Sequence, residues 1–273
     1  MTAPLSPHTP ENWSAVSARY DVKLAEFTGQ FAVDLLEAAA FTPEARVLEV
    51  AAGTGIVTAP LAKQVHHVTA IDYAPGMLDR LRERLTREAI SNVHAAVMDG
   101  QALDLADHTF DGALSNFGLM LFADRVKGFS EMCRVLRPGG PAVVSAWSFM
   151  ERFEPRGVFL KAIQKAFPDF PPPPGVPPIF SLADPEVFAA EMRAGGFAEV
   201  RITSVTRFLE TASPEAYWDS FQGAAPPANA MVKQLGEAGT ARLREQIIAD
   251  LRARFGDGPV RLSAEARIGV GVK

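Results

Sequence analysis

The sequence predicts a doubly wound α/β fold: a mostly parallel seven-stranded sheet with helices on both faces and a helical cap formed by inserts. Three observations predict it. Short β-branched runs alternate with amphipathic segments through the first 146 residues. The positions Glu49, Asp72 and Asp99 fall at the carboxyl ends of successive runs, where such sheets place their ligands. The chain is 273 residues long and 48% hydrophobic, enough to bury a core.

The elements follow in order. Val47 to Val50 is an apolar run that reads as a buried strand, and Gly55 to Lys63 can start a helix. Val68 to Ile71 is the second strand, ending in Asp72. In the segment 74–88, Met77, Leu78, Leu81 and Leu85 recur at helical spacing with charges opposite, and Pro75 suits the first turn. Val93 to Val97 and Phe110 to Leu114 read as the third and fourth strands. Asp124 to Leu136 repeats the amphipathic pattern and stops at Pro138-Gly139-Gly140, ahead of a fifth strand, Ala142 to Ala146.

Beyond Ala146 the pattern changes. Ser148 to Phe180 is aromatic and Pro-rich, with PPPPGVPP at 171–178 reading as polyproline II or as a stiff lid edge. A helix follows with Asp184 as N-cap and Gly195-Gly196 as its stop. Val200 to Thr206 reads as a strand, Ser213 to Phe255 as largely helical with a break at GAAPPAN, and Val260 to Val272 as a last, alternating strand.

Composition narrows the function classes. The formal net charge is -5, so a nucleic-acid backbone is not the expected partner. Cys133 is the single cysteine, which excludes an intrachain disulfide and any zinc site built on several cysteines; it reads as a small buried apolar residue. The five histidines are scattered, with no H-E-x-x-H spacing, and no metal is expected. The N-terminus lacks a basic flank and an apolar core, and no window approaches a membrane span, so a soluble cytoplasmic protein is expected, a monomer or a homodimer.

The informative stretch is VLEVAAGTG, 47–55, where a strand collapses into a small-residue turn. Glycine there permits φ > 0 and close approach of a ligand or of another backbone. A dinucleotide would want a third glycine where the chain has Thr58, and a phosphate loop would need a Gly-Lys-Ser/Thr sequence that does not follow.

Taken with AIDYAPGML (70–78), VMDGQAL (97–103), FDGALSNFGL (110–119) and RVLRPGG (134–140), this turn makes the chain resemble the class I S-adenosylmethionine-dependent methyltransferases, in the ubiquinone/menaquinone-biosynthesis-like group of small-molecule enzymes. The resemblance spans roughly Arg46 to Ala146, implies a Rossmann-like sheet, and makes S-adenosylmethionine the cofactor. An upstream WSAVSARYD (13–21) is similar to the family's N-terminal cover. The implied organisation is one methyltransferase domain over 1–273. Residues 1–30 would be the cover, 46–147 the cofactor-binding core, and 148–183 with 207–258 the substrate cap.

A ribose diol calls for a carboxylate that accepts both hydroxyls, and Asp72 is placed for that. The resemblance implies that Glu49 lies near the methionine ammonium and that Gly53 and Gly55 let the backbone approach. It puts Asp99 at the adenine amino group with Gly100 and Gln101 beside it. Tyr73 and Met77 would flank the ring, Asn116 would meet the methionine end, and Trp13 and Tyr20 would close over it. Ala51 stands where the family usually has glycine, which puts an extra methyl at the tightest point. Phe117 and Leu119 would face the transferred methyl, with Phe153, Trp218 and Phe221 from the aromatic-rich inserts completing an apolar acceptor pocket. No residue is assigned as a general base. The implied reaction is in-line methyl transfer to a small apolar or aromatic molecule; the competing readings are a cofactor-binding protein of this fold without transfer, and an NAD-dependent oxidoreductase.

Overall fold

A computed structural model describes residues 8–170, 178–222 and 226–273, without the side chains of 221, 227 and 228. The polyproline stretch 171–178, apart from Pro178, and the start of GAAPPAN lie outside the described residues.

The sheet comprises β1 (Arg46–Val50), β2 (His67–Asp72), β3 (Val93–Val97), β4 (Gly112–Asn116), β5 (Pro141–Trp147), β6 (Ala198–Thr211) and β7 (Val260–Val272). Their order is β3-β2-β1-β4-β5-β7-β6, the predicted seven-stranded arrangement. The first five strands pair in parallel, with Val47 opposite both Val68 and Gly112 and Asn116 opposite Ser145. β7 is antiparallel to β5 and to β6. The chain order reverses between β1 and β4, which opens a crevice beyond the carboxyl ends of these two strands.

The helices are α1 (Pro10–Lys23), α2 (Ala25–Gly29), α3 (Ala32–Ala39), α4 (Thr58–Ala62), α5 (Pro75–Arg87), α6 (Arg125–Val135), α7 (Glu154–Ala166), α8 (Pro185–Ala194), α9 (Pro214–Phe221) and α10 (Pro226–Phe255). Strand alternation sends Val47 to one face of the sheet and Leu48 to the other. On one side Val47, Val68 and Ala70 pack under Leu35, Leu61, Leu78 and Leu81. On the other, Leu48, Val50 and Val144 pack with Phe129, Met132, Phe188 and the cap aromatics Phe153 and Phe159. Each fully buried Leu or Phe of this kind is worth about 1.5–3 kcal/mol, so both faces are anchored independently.

The predicted element order stands, with corrections to particular bounds. β4 begins at Gly112 because Phe110 makes only an isolated bridge to Leu136, so Asn116 ends the strand rather than following it. β6 runs on to Thr211, paired along its length with β7; its outer positions are exposed and so carry no apolar signal. Asp184 caps α8 as predicted, accepting from the Glu186 and Val187 N–H groups. α10 carries a further interruption at Gly236, where φ is +67° and ψ is -176°. Among the described residues no helix is long and apolar enough to cross a membrane.

Candidate active site

A cleft of about 570 Å³ opens over the carboxyl ends of β1, β2 and β4. Trp13, Tyr20, Ala51, Gly53, Asp72, Tyr73, Met77, Asp99, Gly100, Gln101, Asn116 and Phe117 all line it. A second cavity of about 160 Å³ adjoins it, sharing His8, Trp13, Tyr20, Phe117 and Leu121, and Phe153 lies in its wall.

Asp72 organises the floor. It is 6% exposed, and each carboxylate oxygen accepts one backbone N–H, Oδ2 from Gly53 and Oδ1 from Ala74, both at 2.9 Å. The carboxylate thus ties the turn after β1 to the start of α5. Burial raises its pKa to about 6 against the lowering effect of the backbone hydrogen bonds. Two oxygens offer about four acceptor positions, so each keeps capacity for one further donor, and a vicinal diol supplies two.

Glu49 is 1% exposed, and its Oε2 is buried with no hydrogen-bond partner. It is not part of the cleft lining. Burial is the main cause that pushes its pKa to about 8, and the nearby Asp72 charge adds to the rise. A buried carboxyl with one oxygen unpartnered resolves by holding its proton or by a cation coming near. The free capacity on Asp72 suits a ligand bearing a diol in the cleft; Glu49, outside the lining, can act on a cationic group of that ligand through its charge.

The walls are tied together by polar contacts. Asn116 donates from Nδ2 to the Thr28 carbonyl at 3.3 Å and accepts from Ser145 Oγ at 2.8 Å; Ser145 Oγ in turn accepts from the Phe117 N–H at 3.0 Å. The hydroxyls of Tyr20 and Thr28 meet at 3.3 Å. Asp99 is exposed and accepts from the Gln101 N–H at 2.9 Å, while Gln101 Oε1 accepts from the Asp124 N–H at 2.8 Å. Burial pushes the Tyr73 phenol to about 12, also raises that of Tyr20, and lowers His8 to about 4. At pH 7 all three are neutral.

Some expected site residues stand elsewhere. Gly55 faces α5: a Cβ there would meet Leu81 Cδ1 at 2.2 Å, so its small size serves helix packing and its φ of +82° the turn. Leu119 is fully buried in the core below the cleft, and Trp218 is 4% exposed and packed within the core; neither lines a cavity. The side chain of Phe221 lies outside the described residues. Phe117 does line both cavities, at the unusual φ of +58°, with its ring stacked 3.9 Å from that of Trp147. That turn of the backbone sends Phe117 to the cavities and leaves Leu119 to the core.

The sequence pattern of a methyltransferase domain matches residues 47–140. A demethylmenaquinone methyltransferase from Corynebacterium kroppenstedtii is 37% identical over 142 residues, covering 50% of this chain and 58% of that protein. A demethylmenaquinone methyltransferase from Clavibacter sepedonicus is 32% identical over 175 residues, covering 59% of this chain and 69% of its own length. The chain belongs to the class I S-adenosylmethionine-dependent methyltransferases. Its sequence is similar to that of the demethylmenaquinone-type members, and the chain spans a little over half the length of the first of these relatives. The fold is shared with phosphoethanolamine N-methyltransferase 2 of Haemonchus contortus, at 15% identity and a TM-score of 0.57 over 98% of this chain and 58% of that one. Membership disfavours the oxidoreductase reading.

Three features of this methyltransferase escaped the sequence reading. Arg84 reaches from α5 to the Asp21 carboxylate at 2.7 Å and the Thr54 carbonyl at 3.0 Å, locking α1 onto the glycine turn. Gly76 lets α1 cross α5 closely, since a Cβ there would lie 2.9 Å from Ser14 Cα. Gly118 accommodates the unusual Ala51. Ala51 has φ of +56°, and a Cβ on Gly118 would sit 2.4 Å from the Ala51 methyl and 2.8 Å from Ser115 Oγ. A sequence offers no sign of such cross-wall pairs; only contact shows them.

This pair gives a test of packing. Gly118→Ala should destabilise the fold by about 1–3 kcal/mol, the usual cost of overpacking. Adding Ala51→Gly should recover part of the loss, because it removes the opposing methyl and the left-handed strain while the Ser115 Oγ contact remains. Chemical denaturation of the two variants measures this; equal stability of Gly118→Ala and the parent would contradict the assigned contact.

Proposed function

We propose that the protein transfers the methyl of S-adenosylmethionine to a small, apolar or aromatic acceptor, with the cofactor in the larger cleft and the acceptor in the smaller cavity. The observation that carries this is the junction itself: two cavities, one polar-floored and one aromatic, meet at Phe117, Trp13 and Tyr20. When bound, the cofactor supplies a sulfonium-activated methyl. Asp72 accepts the ribose hydroxyls, Glu49 balances the ammonium, and Asp99 with Gly100 and Gln101 takes the adenine edge. Tyr73 and Met77 are the walls of the adenine slot. Asn116 fixes the β4 end against Thr28, and Trp13 and Tyr20 exclude water from above. Phe117 and Phe153 orient the acceptor. Alignment of this kind can supply about 7–11 kcal/mol of barrier reduction, which makes positioning the main contribution of the chain.

In this reading residues 1–30 act as the cover, 46–147 as the cofactor core, and 148–183 with 207–258 as the cap over the acceptor. The protein acts in the cytoplasm, without nucleic acid, as a monomer or homodimer.

The test is transfer of labelled methyl by the purified protein across phenols, quinols and aromatic amines, with small hydrophilic amines as the contrast. Labelling of aromatic acceptors is expected. Transfer confined to hydrophilic amines would overturn the assignment of the aromatic cavity.

A further inference from the structure

Arg156, in the first turn of α7, stands in the wall of the 160 Å³ cavity. The other walls are mostly apolar, among them Phe27, Trp147, Phe153 and Phe159, with His8, Tyr20 and Thr28 as the polar exceptions. The Arg156 Nε is buried with no hydrogen-bond partner, and among the described residues no carboxylate pairs with the guanidinium. Its neighbour Glu154 is committed elsewhere, accepting from the Ser263 N–H at 2.6 Å, Ser263 Oγ at 2.8 Å and Arg254 at 2.8 Å. Other partly buried arginines of the fold are paired: Arg84 with Asp21, Arg125 with Glu191 and Arg207 with Asp34. Arg156 is the contrast to them.

A guanidinium does not lose its proton in a protein, although burial presses its pKa downward here. Arg156 is partly exposed, and its charge stands unpaired at the edge of a mostly apolar cavity, where an anion entering the cavity can meet it. The planar fork of the guanidinium matches a carboxylate with two parallel hydrogen bonds. A cavity near 150 Å³ holds about one aromatic ring.

We propose that the acceptor is an aromatic carboxylate, its ring held among the phenylalanines and Trp147 and its carboxylate docked on Arg156. This rests on the reading of the smaller cavity as the acceptor site and adds the charge of the molecule it takes.

The test uses benzoate and its neutral isostere benzamide, titrated calorimetrically into the full chain, with S-adenosylhomocysteine titrated separately. Wild type should bind benzoate at least tenfold more tightly than benzamide. Arg156→Gln should abolish that preference, and Arg156→Lys should keep part of it, which separates loss of charge from loss of fold. Absence of benzoate binding, equal affinity for the two probes, or a preference that survives in Arg156→Gln would overturn the proposal. Failure to bind S-adenosylhomocysteine would instead strike at the cofactor assignment and leave the charge preference standing.

Discussion

Asp72→Asn should raise the dissociation constant for S-adenosylhomocysteine tenfold or more. The substitution keeps the shape of the side chain but replaces one acceptor oxygen with a donor. In the native cleft both oxygens already accept a backbone N–H at 2.9 Å. The new NH2 group must then face either the Gly53 or the Ala74 N–H, donor against donor, or rotate toward the ligand and lose an acceptor there. Hydrogen bonds to charged groups are worth about 1.5–3 kcal/mol, and about 1.4 kcal/mol is a factor of ten in affinity. The same change should cost the apo protein about 1–3 kcal/mol, since an anchor of the glycine turn is weakened. Calorimetric titration alongside thermal unfolding separates the two effects. A folded variant with unchanged affinity would remove Asp72 from the ribose role.

The stability of the apo protein should fall as pH rises from about 6.5 to about 8, and Glu49 is the reason; below 6.5 the lowered His8 acts with the opposite sign. The Glu49 carboxyl has the ordinary value of 4.5 when unfolded, and burial pushes it up to about 8 in the folded protein. Between those values the folded state holds a proton that the unfolded state has lost, so ionisation favours unfolding. The stabilisation present below the lower value is lost through that window, at up to about 1.4 kcal/mol per pH unit. Asp72 adds the same sign between its ordinary 3.8 and about 6. Glu49→Gln should flatten the upper part of the profile, because an amide carries no proton to lose. A cationic ligand should act oppositely on the native protein. It stabilises the ionised carboxylate, so binding near pH 7 should release a proton, seen as a dependence of the calorimetric enthalpy on buffer. Glu49→Gln should weaken S-adenosylhomocysteine about tenfold and abolish the release. Undiminished binding by Glu49→Gln would make the carboxyl a structural acid only.

The fold was legible because its signals are local. The run Val47–Val50, the acid ending β2, and the spacing of Met77, Leu78, Leu81 and Leu85 each declare an element without help from the rest of the chain. The floor of the cleft was legible for the same reason, since Gly53, Asp72 and Asn116 sit at strand ends whose order fixes their proximity. What stayed hidden depends on contacts between distant segments. A glycine in a turn shows that something approaches closely but not what: at Gly55 it is Leu81. Phe117 and Leu119 look equivalent along the chain, yet the left-handed backbone at Phe117 sends one to the cavities and the other to the core. The aromatic inserts suggested a pocket without distinguishing Phe153, which lines it, from Trp218, which packs the core. Whether an arginine is paired, as Arg84 is, or unpaired, as Arg156 is, has no trace in the sequence at all.

The crevice beyond β1, β2 and β4 should grip an adenosyl amino acid by its sugar. A crystal structure of the protein with S-adenosylhomocysteine bound measures this. Both ribose hydroxyls are expected within hydrogen-bonding distance of the Asp72 carboxylate, with the adenine beside Tyr73 and Met77. Density for the ligand in any other place, or a ribose that does not touch Asp72, would contradict it.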